Sequence, residues 1–254
     1  MKPVLARAAA CATLSMLLGP VTARAVPTPA TLDWDVYTWT NPFSTSETYN
    51  VGGGVTVSIS DPNDSLTNSG SPPSPQTNSY LDPVSNAGED SLFLRTQGNT
   101  SPWVGVSFDF LHPTGVRNVT FAIFDVDRRP PGQFIDVVLL RAREFGSGLW
   151  FTPTAVTGIS GTQTWVWNGA LRIEGVAASA ESGGNSDNGV AVVSFTGVVI
   201  DRIELEYRNT NPVRGNQWIA VSDVYFVALP EPGAAPLAGA AALALAWRRR
   251  RRAR

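Results

Sequence analysis

Asp125 and Asp127 close the run Phe121-Ala122-Ile123-Phe124-Asp125-Val126-Asp127, two residues apart at the end of an apolar stretch. In an extended chain, residues two apart point to the same side, so these carboxylates are expected side by side. Neighbouring carboxylates repel unless a cation or an arginine comes between them. Calcium accepts roughly 6–8 oxygen ligands, and Asp125, Asp127, Asp136 and Asp223 with loop carbonyls could supply such a set. The competing reading, preferred on the sequence, is a strand end that caps a turn and pairs with Arg128 or Arg129.

Three other groupings could do chemistry. Glu204 and Glu206 resemble an acid–base pair of a glycosidase, but both fall on one face of one strand between Arg202 and Arg208. Glycosidase carboxylates face each other across a cleft, so a solvated, salt-bridged face is expected instead. Trp165 and Trp167 share one side of a strand. Exposed, they would stack on sugar rings; buried, they would be core area, and burial is the expectation for them as for Trp34 and Trp39. His112 is the one histidine and precedes Pro113, with no G-x-S-x-G context to support a Ser-His-Asp site. The lone cysteine, Cys11, lies near the N-terminus, so the rest of the chain has no disulfide and no thiolate chemistry.

The elements that must hold these residues read as strands. Apolar residues alternate at Val104, Val106, Phe108 and Phe110, at Val119, Phe121 and Ile123, and at Ile203, Leu205 and Tyr207. Period two marks a strand with one buried face. Further strands are expected at 32–40, 55–60, 134–142, 163–167, 171–176, 190–195 and 218–227, separated by turn-rich breaks at 61–86, 128–132 and 182–188. About ten short strands with these spacings predict an all-β fold, a jelly-roll-like β-sandwich over residues 26–229.

The two ends follow different rules. Residues 1–25 carry Lys2 and Arg7, an apolar run from Ala8 to Leu18, and Ala23-Arg24-Ala25. That order is a secretory signal peptide with an A-x-A cleavage site between Ala23 and the bond after Ala25. At the other end, Pro230-Glu231-Pro232 stops the β pattern, Gly233 to Trp247 is an apolar segment, and Arg248, Arg249, Arg250, Arg251 and Arg252 follow. A basic cluster after an apolar helix orients it positive-inside, leaving the body on the outer side. Fifteen helical residues reach about 22 Å against a hydrocarbon core of roughly 30 Å, so the segment is a poor permanent anchor and an adequate transient stop.

Removing both ends changes the charge. Residues 26–229 hold ten arginines, no lysine and twenty acidic residues, although the whole chain is only −2. A body this acidic repels nucleic acid and anionic lipid.

The Pro230-Glu231-Pro232 motif, the 233–247 helix and the arginine cluster resemble the PEP-CTERM sorting signal of Gram-negative bacteria. The resemblance covers residues 230–254. It implies an exosortase as partner, a transient stay in the inner membrane with the body in the periplasm, and delivery to the cell surface or extracellular matrix. It also implies an association with exopolysaccharide. The body resembles exported β-sandwich modules that accompany such tails. The matching pieces are Asp33-Trp34, the 121–127 run, Phe134-Ile135-Asp136, Tyr207-Arg208-Asn209 and the stretch from Gln217 to Phe226, and they imply no catalytic residues.

The expectation is a non-enzymatic, surface-destined β-sandwich protein between a signal helix and a C-terminal membrane helix. Its rival is a carbohydrate-binding module gripping exopolysaccharide through Trp165 and Trp167. A polysaccharide-active hydrolase is third.

Overall fold

The computed structural model describes residues 26–37, 39, 44–61, 75–77, 90–97, 103–129, 134–157, 162–176, 189–209 and 216–231. The expected signal peptide with Ala23 and Ala25 lies outside the described residues, as do Pro232, the expected apolar helix and the arginine cluster. The chain divides into two units, one gathering Met1–Val26 with Pro230–Arg254, the other running from Pro27 to Leu229. Every described strand belongs to the second. Among the described residues no helix is long and apolar enough to cross a membrane.

The fold is all-β. The first strands are β1 (Thr28–Leu32), β2 (Ser46–Tyr49), β3 (Val55–Ser60), β4 (Pro75–Thr77) and β5 (Asp90–Gln97). Then come β6 (Trp103–Phe110), β7 (Val116–Phe124), β8 (Arg128–Arg129), β9 (Phe134–Glu144), β10 (Trp150–Phe151) and β11 (Ala155–Thr157). The last are β12 (Thr162–Trp167), β13 (Ala170–Gly175), β14 (Ala191–Asn209), β15 (Asn216–Val221) and β16 (Val224–Ala228). All of their pairings are antiparallel.

One strand organises the two layers. The first half of β14 pairs with β7 and β11, whereas its second half pairs with β6 and β9. The first layer continues from β7 to β15 and β16, then to β5 and β1. The second continues from β6 to β3 and β2, and from β9 to β13 and β12. Between the halves the register slips twice, after Phe195 and after Ile200, and Gly197 sits at a φ of 76°. The chain turns the same corner between β6 and β7 at Gly115, whose φ is 72° and where a Cβ would stand 2.7 Å from Val199 Cγ1. Only glycine fits a left-handed backbone pressed this closely.

Alternation puts the apolar phase of each strand between the layers. Phe108 of β6 meets Phe121 of β7 with ring centroids 6.3 Å apart, and Phe110 meets Phe226 of β16 at 5.1 Å. These contacts cross from one sheet to the other, so the fold is sandwich-like. Trp34 is fully buried; its indole N–H donates to the Ser222 carbonyl at 3.0 Å, and its ring meets Tyr49 edge-on. Trp39 is buried too, as expected.

Two strand expectations need correction. The strand expected at 32–40 ends at Leu32, because Asp33 caps a turn: its carbonyl accepts the Tyr37 amide and its carboxylate the Asp35 amide. The run expected at 218–227 breaks at Ser222-Asp223, whose side chains take other work. Ser222 Oγ accepts the Ala122 amide and Asp223 the Trp34 amide.

Candidate functional site

The outer face of the second layer is a register-aligned grid of polar side chains. On β14 the residues left over from the core are Arg202, Glu204, Glu206 and Arg208. Glu204 stands opposite Arg141 of β9 and Ser107 of β6, and Ser107 opposite Ser58 of β3. One row away Glu206 stands opposite Leu139 and Gly105, Leu139 opposite Arg172, and Arg172 opposite Trp165 of β12. Directly opposed residues share a face, so Trp165 and Trp167 look the same way as the Arg–Glu grid.

The charges on this face are paired. Arg141 binds Glu204 at 2.6 Å, Arg143 binds Asp201 at 2.7 Å, and Arg202 bridges Glu204 and Asp109 at 3.2 and 3.4 Å. Arg172 binds Glu174 at 2.5 Å, and Arg208 binds Glu206. Such half-exposed pairs each contribute about 0–1 kcal/mol to stability. Their larger effect is to hold donors and acceptors in fixed positions. Five of the ten arginines of the body, Arg141, Arg143, Arg172, Arg202 and Arg208, lie on this single face. The salt-bridged reading of Glu204 and Glu206 is what the structure has, and the two carboxylates stand on one strand rather than across a cleft.

A groove of about 590 Å³ crosses this face. Its floor is formed by Arg202, Glu204, Glu206, Arg208, Arg141 and Leu139, with Ser58, Ser60 and Ser107 on one flank. Trp103 stands at one side and Trp167 with Asn168 at the other. On this same face Val137, Leu139 and Ala170 make a small apolar cluster of their own. From β6 to β12 the face spans four strand steps, about 19 Å. Trp165 is 38% exposed and Trp167 39%, so the expectation that they are core is overturned. The reason is position: among the described residues β12 pairs only with β13, at the end of the strand order, and both of its faces are open to solvent. Two of the exposed indoles are braced by guanidinium groups, Arg172 over Trp165 at 5.1 Å and Arg141 over Trp150 at 4.3 Å.

The aspartates gather only in part. Asp136 is buried; its Oδ1 accepts the Tyr207 hydroxyl at 2.7 Å, and its backbone amide donates to the Asp127 carbonyl. Burial, and then the charge and hydrogen bond of Asp127, push the Asp136 carboxyl well above the usual carboxylate range, against the lowering effect of Tyr207. Asp125, at a φ of 63°, adds a smaller push in the same direction. Asp223 is engaged instead by the amide of Trp34 at 3.0 Å. Among the described residues no group of three or more His, Cys, Asp or Glu side chains is arranged to hold a metal ion. The tight seat of Asp127 has a steric mark: a Cβ on Gly175 would fall 2.2 Å from the Asp127 carbonyl oxygen.

Sequence reasoning passed over Trp103, Arg141 and the serines. Trp103 occupies the polar phase of β6, with Gly105, Ser107 and Asp109, and a tryptophan in that phase was the available signal. His112 is a loop residue whose Nδ1 meets Thr114 Oγ1 at 3.0 Å.

The fold and this face define an all-β, sandwich-like protein with an aromatic-flanked polar groove. No family model matches the chain, and no curated protein matches it. Among solved structures it is similar to TmCBM27, a carbohydrate-binding module studied for specific mannan recognition. There the identity is 9%, the TM-score 0.31, and coverage 81% of this chain and 100% of that one. It is also similar to the family 11 carbohydrate-binding module from Clostridium thermocellum, in complex with a β-1,3-1,4-mixed-linked tetrasaccharide. That likeness has 12% identity, a TM-score of 0.28, and coverage of 82% and 99%. At such TM-scores neither likeness bears on the ligand of this chain.

Proposed function

We propose that the body is an exported polysaccharide-binding module, wrapped in a jelly-roll-like order, that holds a sugar chain in the groove between Trp103 and Trp167. The observation that carries this is the groove itself: a polar floor of fixed Arg–Glu pairs with an indole at either side. A sugar ring presents an apolar face and a rim of hydroxyls. The indoles suit the face, and each hydroxyl can donate to a carboxylate while accepting from a guanidinium. Because the salt bridges already hold those groups in place, little side-chain freedom is lost on binding. A groove this long suits a chain of several sugars better than a single one.

The reading assigns binding and no reaction. Location comes from the tail: Pro230, Glu231 and Pro232 with the segment behind them mark the chain for an exosortase in the inner membrane of a Gram-negative bacterium, and then for the surface or matrix. A matrix-destined chain meets exopolysaccharide there, which agrees with the groove. A glycan array probed with the chain lacking its signal peptide tests the binding. Saturable signal on polysaccharides supports the proposal, and no signal on any of them defeats it. Mass spectrometry of the C-terminus in an exosortase-bearing host tests the sorting, since a product that retains Arg254 contradicts it.

A further inference from the structure

One end of the sandwich is built from three loops and the bulged middle of β14, which hold each other and contain no Asp, Glu, Lys or Arg. They are residues 50–54, 111–115, 145–149 and 196–199. Leu111 donates its amide to the Gly54 carbonyl and Phe145 to that of Val199, both at 2.9 Å. Gly115 binds these pairs together, because a Cβ there would touch Val199 at 2.7 Å and the Phe145 Cβ at 3.0 Å. The tips carry large apolar side chains facing solvent: Leu111 is 53% exposed, Phe145 39% and Leu149 66%. In sequence the flanking charges are Arg117, Glu144 and Asp201, and the Glu144 carboxylate accepts the Ser147 hydroxyl at 2.6 Å, so one carboxylate lies beside the 145–149 tip. The far end of β7, opposite Val116, carries Asp125 and Asp127.

The last strand of the body finishes at the apolar end. Ala228 stands opposite Val116 and Thr28, and the Leu229 carbonyl accepts the Thr114 hydroxyl at 3.0 Å. Four residues later the sequence enters the apolar run from Gly233 to Trp247, followed by arginines.

We infer that the loop tips Leu111, Phe145 and Leu149 form a docking face for the interfacial layer of a lipid bilayer. Apolar side chains at loop tips enter the boundary between headgroups and acyl chains, while the Glu144 carboxylate, tied to Ser147, can stay among the headgroups. The place where the chain leaves the body selects lipid over other occupants, since a membrane-inserted tail holds this end at the bilayer. The inference rests on the tail's being a membrane segment.

The test uses the chain from residue 26 to 254, which contains no cysteine. Three variants, Leu111→Cys, Leu149→Cys and Val176→Cys, each take one environment-sensitive fluorophore. All three positions are exposed, and Val176 follows Gly175 at the Asp127 end. Each labelled chain is mixed with phosphatidylcholine vesicles carrying nitroxide lipid and floated on a density gradient. The expected result is flotation of all three, with blue-shifted, nitroxide-quenched emission at 111 and 149 and neither change at 176. Flotation with equal, water-like emission at all three positions overturns the docking face and leaves the tail reading standing. Failure to float overturns both. A blue shift at 111 and 149 that develops with protein concentration in the absence of vesicles overturns it in favour of a second copy.

Discussion

The Tyr207 hydroxyl donates to Asp136 at 2.7 Å, joining the end of β14 to the start of β9 inside the protein. Asp136 has Asp127 and Asp125 as carboxylate neighbours, and burial together with Asp127 raises its pKa far above the ordinary 3.8. A carboxyl raised in the folded state is protonated there while the unfolded chain ionises. Its contribution to stability is complete below the unfolded pKa and declines as pH rises toward the folded one. Denaturation midpoints are therefore expected to fall as pH rises above about 4, the unfolded carboxyl's range. In Asp136→Asn, which keeps an acceptor for Tyr207 and cannot ionise, that fall should be shallower.

The same cluster bears on calcium. Asp136 is engaged by Tyr207, Asp223 by the Trp34 amide, and the described acids form no set of three. The thermal midpoint should be equal in millimolar calcium and in chelator. A rise with calcium would return Asp125 and Asp127 to the role of ligands.

At the corner shared by β6, β7 and β14, Gly115→Ala should cost about 1–3 kcal/mol in chemical denaturation. The new methyl would press on Val199 and on the Ile200 carbonyl oxygen at 2.9 Å, at a φ that disfavours any side chain.

Tryptophans separate by position. Trp34→Phe removes the indole bond to Ser222 and leaves that buried carbonyl short of a partner, so about 1–3 kcal/mol of stability should be lost. Trp165→Phe, on the outermost strand, should stay within about 0.5 kcal/mol of the parent. Parallel urea titrations of the two variants would show the contrast.

Alternation alone locates most of the layers. The strand expected at 55–60 has those bounds, and the runs at 104–110, 119–123 and 203–207 fall inside β6, β7 and β14. What alternation cannot convey is that 190–195 and 203–207 belong to a single strand bent around the sandwich edge. Both halves bury one face in the same period, and the bend depends on Gly115 packing beneath Val199. The groove was half visible. The phase of Arg202, Glu204, Glu206 and Arg208 was legible, yet its partners come from β3, β6, β9 and β13, and only the register brings them together. The exposure of Trp165 and Trp167 is not legible in the sequence, because burial depends on where a strand falls in its sheet, and local sequence does not carry that order. Asp223 was grouped with the other aspartates by residue type, while its actual role, as acceptor for the Trp34 amide 189 residues away, is purely tertiary.

Polysaccharide binding by the groove is tested most directly by comparing the parent chain with Trp103→Ala/Trp167→Ala on one glycan array, followed by titration against the polysaccharide that gives the strongest signal. The account predicts saturable binding by the parent and at least about a tenfold weaker Kd in the double variant, about 1.4 kcal/mol. Denaturation midpoints of the two proteins should stay close, since both indoles lie at the surface of the groove. Binding that is absent from the parent, or unchanged in the variant, would contradict it.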